Sequence, residues 1–313
     1  MNNAPFYKRI YEEVLASIKA GKSIKHFYDD RGENISRHIM RFANNVSFEQ
    51  ALDLGCGLGQ VAFSLSPKCK NVIAADISRD AMKIVAVVTK DRKVRAIDCV
   101  LLDSRHLPFK NNSFDLIVSS GLLEWTPIND VSSKSPDKVQ LDVLREVRRA
   151  LKRLGVFWLG IENRYACEYF LGVTDHHSGL RFVTFMPRFI ANYYSKLVKK
   201  QPYKTYLYNY WELRKILLSA GLCIGKFLVG FPGYSNPKQV ADLFNHSEIA
   251  RVGMLHALEL SRSPTLSLAR AALIKAISTL RLSKIFSNSF IVLCTIPDAR
   301  DSGKAISGRD IRK

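Results

Sequence analysis

The sequence predicts an α/β protein: a doubly wound, seven-stranded, mostly parallel sheet with N-terminal helices and helical insertions. Three observations predict it. From residue 50 onward, short apolar runs of strand length alternate with amphipathic helical stretches, the pattern of a parallel sheet covered on both faces. The first of those runs passes directly into a glycine turn, Gly55-Cys56-Gly57-Leu58-Gly59, which opens a helix. Finally, 313 residues with 47% hydrophobic and 24% charged content are ordinary globular composition, which excludes general disorder and fibrous repeats.

Each element follows from a local pattern. Phe6, Ile10, Val14 and Ile18 recur every four residues and predict a first helix. A second is expected over residues 35–42, with Asn34 placed to cap it. Buried strands are expected at residues 51–54, 72–75, 99–102, 116–118, 156–161, 222–229 and 290–296, and helices around 61–65, 79–88 and 139–151. Two stretches fall outside this alternation. Residues 163–210 are rich in aromatics, and residues 232–286 hold FPGYSNP followed by a run that reads as helices. Both are expected as insertions at the sheet edge where such folds bind ligands. The chain thus divides into a helical cap (1–48), a core (49–162), the remaining sheet with its insertions (163–297) and a basic tail (298–313).

Charge is unevenly spread. The chain carries 47 Lys and Arg against 28 Asp and Glu, a net +19, and residues 151–313 hold 24 of those bases against 10 acids. That half would attract an anion, whether a phosphorylated small molecule, an acidic membrane or nucleic acid. The six cysteines lie far apart with no CxxC pair, so reduced thiols are expected rather than disulfides or zinc. The histidine spacing offers no metal motif. No apolar stretch reaches the roughly 20 residues of a membrane span, and the N-terminus lacks a secretory signal, which points to the cytoplasm.

The glycine loop carries the sharpest chemistry. Its glycines allow a tight turn and close approach of a ligand to free N–H groups at the helix start. The dinucleotide fingerprint GxGxxG would need a third glycine where Gln60 stands, and no Lys-Ser/Thr follows to make a P-loop. Asp76 ends the next strand, where a carboxylate can accept hydrogen bonds from both hydroxyls of a ribose. Asp103 ends the third strand, and Asn112-Ser113-Phe114-Asp115 introduces the fourth.

With DLGCGLG, the acid in AADIS, the acid in LLDSRHLPF, and NNSFDLIVSS in this order, residues 50–162 resemble the class I S-adenosylmethionine-dependent methyltransferases, in particular the type 11 group with its Rossmann-like sheet. The resemblance implies S-adenosylmethionine as cofactor. It also implies that Gly55, Gly57 and Gly59 lie under the methionine part, with Asp53 helping to hold its ammonium end. Asp76 would grip the ribose, Ile77 would pack on the adenine, and Asp103 with Ser104 would meet its polar edge. Ser119, after the fourth strand, is expected at the same cleft. Cys56 reads as a small turn residue.

The segment from Ser119 to Pro127 lacks the paired prolines of nucleobase amino-methyltransferases, and no cysteine nucleophile follows this strand or the next. Nucleic acid is therefore disfavoured as a substrate. The order ENR, DHHSG, MPR, TY and AG looks like a subset of bacterial methyltransferases associated with surface polysaccharide assembly, with Tyr165 departing from the apolar residue expected after Arg164. These readings lead to O-methylation of a sugar, glycan or other small hydroxyl compound. The alternatives are a lipid-like metabolite or RNA as acceptor, or a non-catalytic S-adenosylmethionine-binding module. His176 or His177 is the expected base, since an imidazole accepts a proton near neutral pH, with Glu124 and Glu162 as second choices. Arg164 and Arg188 would clamp an anionic acceptor, and Trp125 and Tyr165 would wall it. An apolar stripe of Leu266, Ala269, Leu273, Ala276, Ile277 and Leu280 beside Arg270, Lys275, Arg281 and Lys284 reads first as a core-covering face. Its alternative is peripheral contact with the acidic inner face of a membrane.

Overall fold

Apolar runs without polar alternation can bury both faces, and four of the five parallel strands are largely buried inside one eight-stranded sheet, while the fifth, Ile97–Leu101, forms its edge and is mostly exposed. The computed structural model describes residues 4–43, 48–94, 97–128, 134–203, 205–260 and 264–297; the expected basic tail lies outside the described residues. In chain order the described elements are α1 (Ala4–Lys19), α2 (Arg31–Phe42), β1 (Phe48–Leu54), α3 (Gln60–Leu65), β2 (Cys69–Asp76), α4 (Arg79–Asp91), β3 (Ile97–Leu101) and β4 (Phe114–Ser120). They continue with α5 (Pro136–Ala150), β5 (Leu151–Glu162), α6 (Cys167–Phe170), α7 (Arg188–Lys199), α8 (Tyr210–Ser219), β6 (Cys223–Phe231), β7 (Gln239–Asp242), α9 (His246–Leu260), α10 (Pro264–Thr279), α11 (Ser283–Phe286) and β8 (Ser289–Thr295).

The strand order is β3-β2-β1-β4-β5-β8-β6-β7. Strands β1 to β5 run parallel, while β8 inserts antiparallel between β5 and β6 and β7 pairs antiparallel at the edge. The sheet therefore has eight strands where seven were expected. The extra strand, β7, is four residues long with a single buried apolar pair, Val240 and Ala241, too short to announce itself by period. Winding reverses between β1 and β4, which opens a crevice at the carboxyl ends of those two strands.

Side chains alternate between the two faces. Leu52, Ile117, Phe157 and Val292 enter the core beneath α5 and α8. Ala51, Val118, Trp158 and Ile291 enter the opposite core beneath α2, α3 and α4. Helix α1 lies on α4 through Val14, Ile84 and Val88. Helix α2 starts at Arg31, four residues earlier than expected, so Asn34 is not its cap. Asn34 is buried inside the helix, where its amide donates to Asn236 Oδ1 at 2.8 Å and its oxygen accepts from Arg37. His38 Nε2 lies 2.9 Å from Pro237 O, so the FPGYSNP loop is tied to the cap. All six cysteines are unpaired.

The stripe on α10 does not cover the core. Ser267, Ala271 and Ser278 face inward, whereas Ala269, Leu273, Ala276 and Leu280 are exposed and the Leu266 side chain lies outside the described residues. Small inward residues let α10 pack closely on α9, leaving the larger ones outside. Among the described residues no helix is long and apolar enough to cross a membrane.

Candidate active site

The glycine loop folds back onto β2. Gly55, Gly57 and Gly59 take φ of +77°, +52° and +77°, a region L side chains avoid. The N–H groups of Gly55 and Cys56 both donate to Ala75 O, at 2.8 and 3.0 Å. Asp53 is buried at the end of β1 and accepts the N–H of Ala62 at 3.0 Å, which braces the first turn of α3; burial pushes its carboxyl up to about 7. It is not among the residues lining the cleft. Burial raises the Cys56 thiol well above its usual range, which fits a turn residue rather than a nucleophile.

Above the loop lies a cleft with about 460 Å³ of free space, part of it open to solvent. Asp76 stands on one wall, with Oδ2 accepting the Gly57 N–H at 3.0 Å and Oδ1 the Ser78 N–H at 2.9 Å. Ile77 is 50% exposed in the same wall and offers a flat apolar surface. Asp103 and Ser104 close the far end, where Arg105 Nε lies 2.9 Å from both Asp103 oxygens and holds that carboxyl below its usual range. Ser119, expected here, instead sits buried within β4 and does not line the cleft.

The cap reaches over this cleft. A Cβ on Gly57 would lie 3.1 Å from the Tyr7 hydroxyl of α1. Burial, then the nearby Asp76 carboxylate, push that hydroxyl up to about 12. Arg31, first in α2, donates from Nη2 to Ser120 O at 3.2 Å, beside the end of β4.

A second, polar cluster adjoins the cleft through Trp125, which lines the cleft and meets the His177 ring edge-on at 4.5 Å between centroids. Glu162, the last residue of β5, accepts from the Tyr169 hydroxyl at 2.6 Å and lies 3.1 Å from His177 Nε2. Burial would raise the Glu162 pKa, but the His177 and Tyr169 bonds outweigh it and the net shift is downward. Burial would lower that of His177, but the bond to Glu162 and the charges of Glu162, Glu124 and Asp175 carry it above 6.5. A carboxylate at Glu162 requires the proton on Nε2, so in the neutral ring Nδ1 is the free acceptor. Nδ1 is sealed from solvent and has no hydrogen-bond partner.

The DHHSG loop builds this placement: Asp175 accepts the N–H groups of His177 and Ser178 and the Ser178 hydroxyl. His176 is exposed, so of the two expected histidines the fold brings only His177 into the cluster. Glu124 is fully buried, with Oε1 accepting from Tyr234 OH at 3.1 Å and Oε2 unpartnered; burial pushes it up to about 7. Glu162, Asp175 and His177 each offer one ligand atom within 4.8 Å of the others, a grouping the sequence spacing did not foreshadow.

The other expected acceptor residues are engaged elsewhere. Arg164 donates to the carbonyls of Thr184 and Met186 at 2.8 Å and pairs with Glu212. Arg188 donates to the carbonyls of Thr205 and Tyr203, with its guanidinium over the Tyr203 and Tyr206 rings. Both therefore pin loops instead of presenting free donors to an anion. Tyr165 is half-buried against Arg164 and does not line the cleft.

Residues 52–159, which carry the loop and the cleft, match the sequence family described as "Methyltransferase domain". The core has the class I methyltransferase fold. Its cofactor is S-adenosylmethionine, and the cleft fits that ligand: Asp76 ends β2, Asp103 lies two residues beyond β3, Ile77 supplies an apolar wall, and a Cβ on Gly55 would fill the floor, 3.0 Å from Leu122. Over 153 residues the chain is 29% identical to "Arginine-hydroxylase NDUFAF5, mitochondrial" of Danio rerio, covering 48% of this chain and 41% of that one. It is 33% identical over 157 residues to the Homo sapiens protein of the same description, covering 48% and 40%. The chain thus spans about two-fifths of the length of these curated relatives. A crystal structure of an S-adenosylmethionine-dependent methyltransferase from Clostridium acetobutylicum aligns over 95% of this chain and 100% of its own at 17% identity, with a TM-score of 0.51, and shares the fold.

Several residues around the methyltransferase cleft escaped sequence reasoning. Tyr7, Arg31, Arg105, Tyr169 and Tyr234 come from distant segments. Of these, Arg105 in LLDSRHLPF, Tyr169 in the aromatic stretch 163–210 and Tyr234 in FPGYSNP lay in stretches that stood out in the sequence.

Proposed function

We propose that the chain transfers the methyl group of S-adenosylmethionine to a hydroxyl of a sugar or another small hydroxyl compound, with His177 as general base. The observation that carries this reading is the Glu162–His177 pair, with Nδ1 unpartnered, set behind Trp125 at the wall of the donor cleft. When bound, the cofactor supplies an electrophilic methyl on a cationic sulfur. Asp76 would accept from its ribose hydroxyls, and Ile77, Asp103 and Ser104 would hold its adenine. Arg31, whose Nη2 reaches Ser120 O at the end of β4, would stand nearest its methionine end. His177 Nδ1 takes the proton of the acceptor hydroxyl while Glu162 holds Nε2–H and stabilises the imidazolium, the division of labour of an oriented carboxylate–histidine pair. Because Nδ1 is sealed from solvent, side chains around it must move for the acceptor to reach it, and the same burial keeps water from the reacting atoms.

One observation favours a second reading. Glu124 holds a fully buried carboxyl oxygen without a partner, near Glu162 and His177, and two carboxyl groups so placed suit a cationic acceptor better than an anionic one. An amine or guanidinium would satisfy it, and two of the relatives are named as acting on arginine. With Arg164 and Arg188 committed to loop carbonyls, an anionic acceptor loses its expected clamp.

Incubation with methyl-labelled donor and separate glycan, lipid, RNA and arginine-peptide fractions tests both readings. Label in the carbohydrate fraction is expected. Label confined to arginine peptides would replace the first reading with the second, and donor binding without label in any fraction would leave a non-catalytic binding module.

A further inference from the structure

Helix α7 turns its apolar side outward. Its buried residues are the small Ala191 and Ser195. Phe189 is 75% exposed, Tyr193 66% and Leu197 55%, with Ile190 at 41%. At about 100° per residue these four share one stripe on the side opposite Ala191 and Ser195. A helix that merely covers a core has the reverse arrangement. Lys196 is exposed beside the stripe and Lys200 at the helix end, with Lys199 exposed further round the helix, and none of them is in an ion pair among the described residues.

Charge selects what covers this face. Residues 176–211 contain Arg181, Arg188, Lys196, Lys199, Lys200 and Lys204 and not one Asp or Glu. A second copy docking through the same stripe would bring lysines against lysines with no local carboxylate to meet them. An anionic bilayer meets both features, since phosphate groups pair with the lysines while the aromatic and aliphatic side chains enter the boundary of the acyl chains.

We infer that the outward face of α7 docks on an anionic lipid surface. The helix follows β5 and the His177 loop in the chain, and Arg164 ties the segment just before it through Thr184 O and Met186 O. The inference stands on the helix itself and does not rest on the proposed chemistry.

Co-sedimentation of the full chain tests it, using vesicles of phosphatidylcholine with and without phosphatidylglycerol. Binding is expected only to the anionic vesicles and should weaken with salt. A Phe189→Ser, Tyr193→Ser, Leu197→Ser chain should lose at least about tenfold in vesicle affinity at an unchanged melting temperature, because these side chains are exposed. Equal binding to neutral vesicles would overturn the proposal. So would vesicle binding that survives this variant and disappears in Leu273→Ser, Leu280→Ser, which would move the contact to α10. A concentration-dependent dimer that the α7 variant dissociates, without vesicle binding, would make this face a subunit interface instead.

Discussion

His177→Ala should slow methyl transfer by about 10²–10⁴-fold, the usual range for a positioned general base, while leaving donor affinity unchanged. The ring lies behind Trp125 and touches the cluster, not the glycine loop, so removing it spares the cofactor contacts. The pH profile makes the role specific. Transfer needs the neutral ring, and His177 titrates above 6.5 because Glu162 and its neighbours outweigh burial. The rate should therefore fall as pH drops through a value above 6.5. Glu162→Gln removes the anion, lowers the His177 pKa and should move that acid limb to lower pH while the maximum rate also drops. A purely structural His177 would reduce the rate without moving the limb. The same pair contributes stability in a defined window. The raised histidine contributes below 6.5 and loses its contribution as pH rises through its folded pKa. The depressed Glu162 contributes above 4.5 and loses its contribution as pH falls through its own folded pKa.

Gly32→Ala should cost about 3 kcal/mol or more of stability by overpacking and weaken donor binding in the fraction that folds. A Cβ on Gly32 would fall 1.9 Å from Gln60 O, 2.4 Å from Gln60 C and 2.8 Å from Ser64 Oγ. The first two are backbone atoms in the opening turn of α3 and cannot swing aside, so α2 must lift from α3. That motion would withdraw Arg31 from Ser120 O and loosen the Asp29–Gln60 bond of 2.8 Å. Thermal melting with donor titration checks both effects. Gly225→Ala in β6 is the control, since its Cβ would meet Leu293 O at an ordinary 3.5 Å; its effect should stay within about 0.5 kcal/mol.

The parallel half of the fold was legible because β1, β2, β4 and β5 are largely buried and read as apolar runs bounded by turns, and because the exposed edge strand β3 still carries the short apolar run that ends before Asp103. Strand β7 was not, since four residues at an edge carry no period. The helix start at Arg31 was misread because Asn34 is a favoured cap residue; the tertiary bond to Asn236 put its amide to another use. The cleft residues Asp76, Ile77, Asp103 and Ser104 could be placed because they stand at or within three residues of a strand's carboxyl end. Local sequence could not tell His177 from His176, nor show that the Arg164 and Arg188 donors meet carbonyls. Those outcomes depend on Asp175, Glu162 and the loop carbonyls, which only the folded chain brings together. The same holds for the outward apolar face of α7, where composition marked aromatics but not their direction.

The most direct test of the account is a calorimetric titration of S-adenosylhomocysteine into the native chain and into Asp76→Ala. The account predicts one site per chain, with affinity falling about 100-fold in the variant as two charge-assisted hydrogen bonds to the ribose are lost. Equal affinity in the two chains, or no binding by the native one, would contradict it.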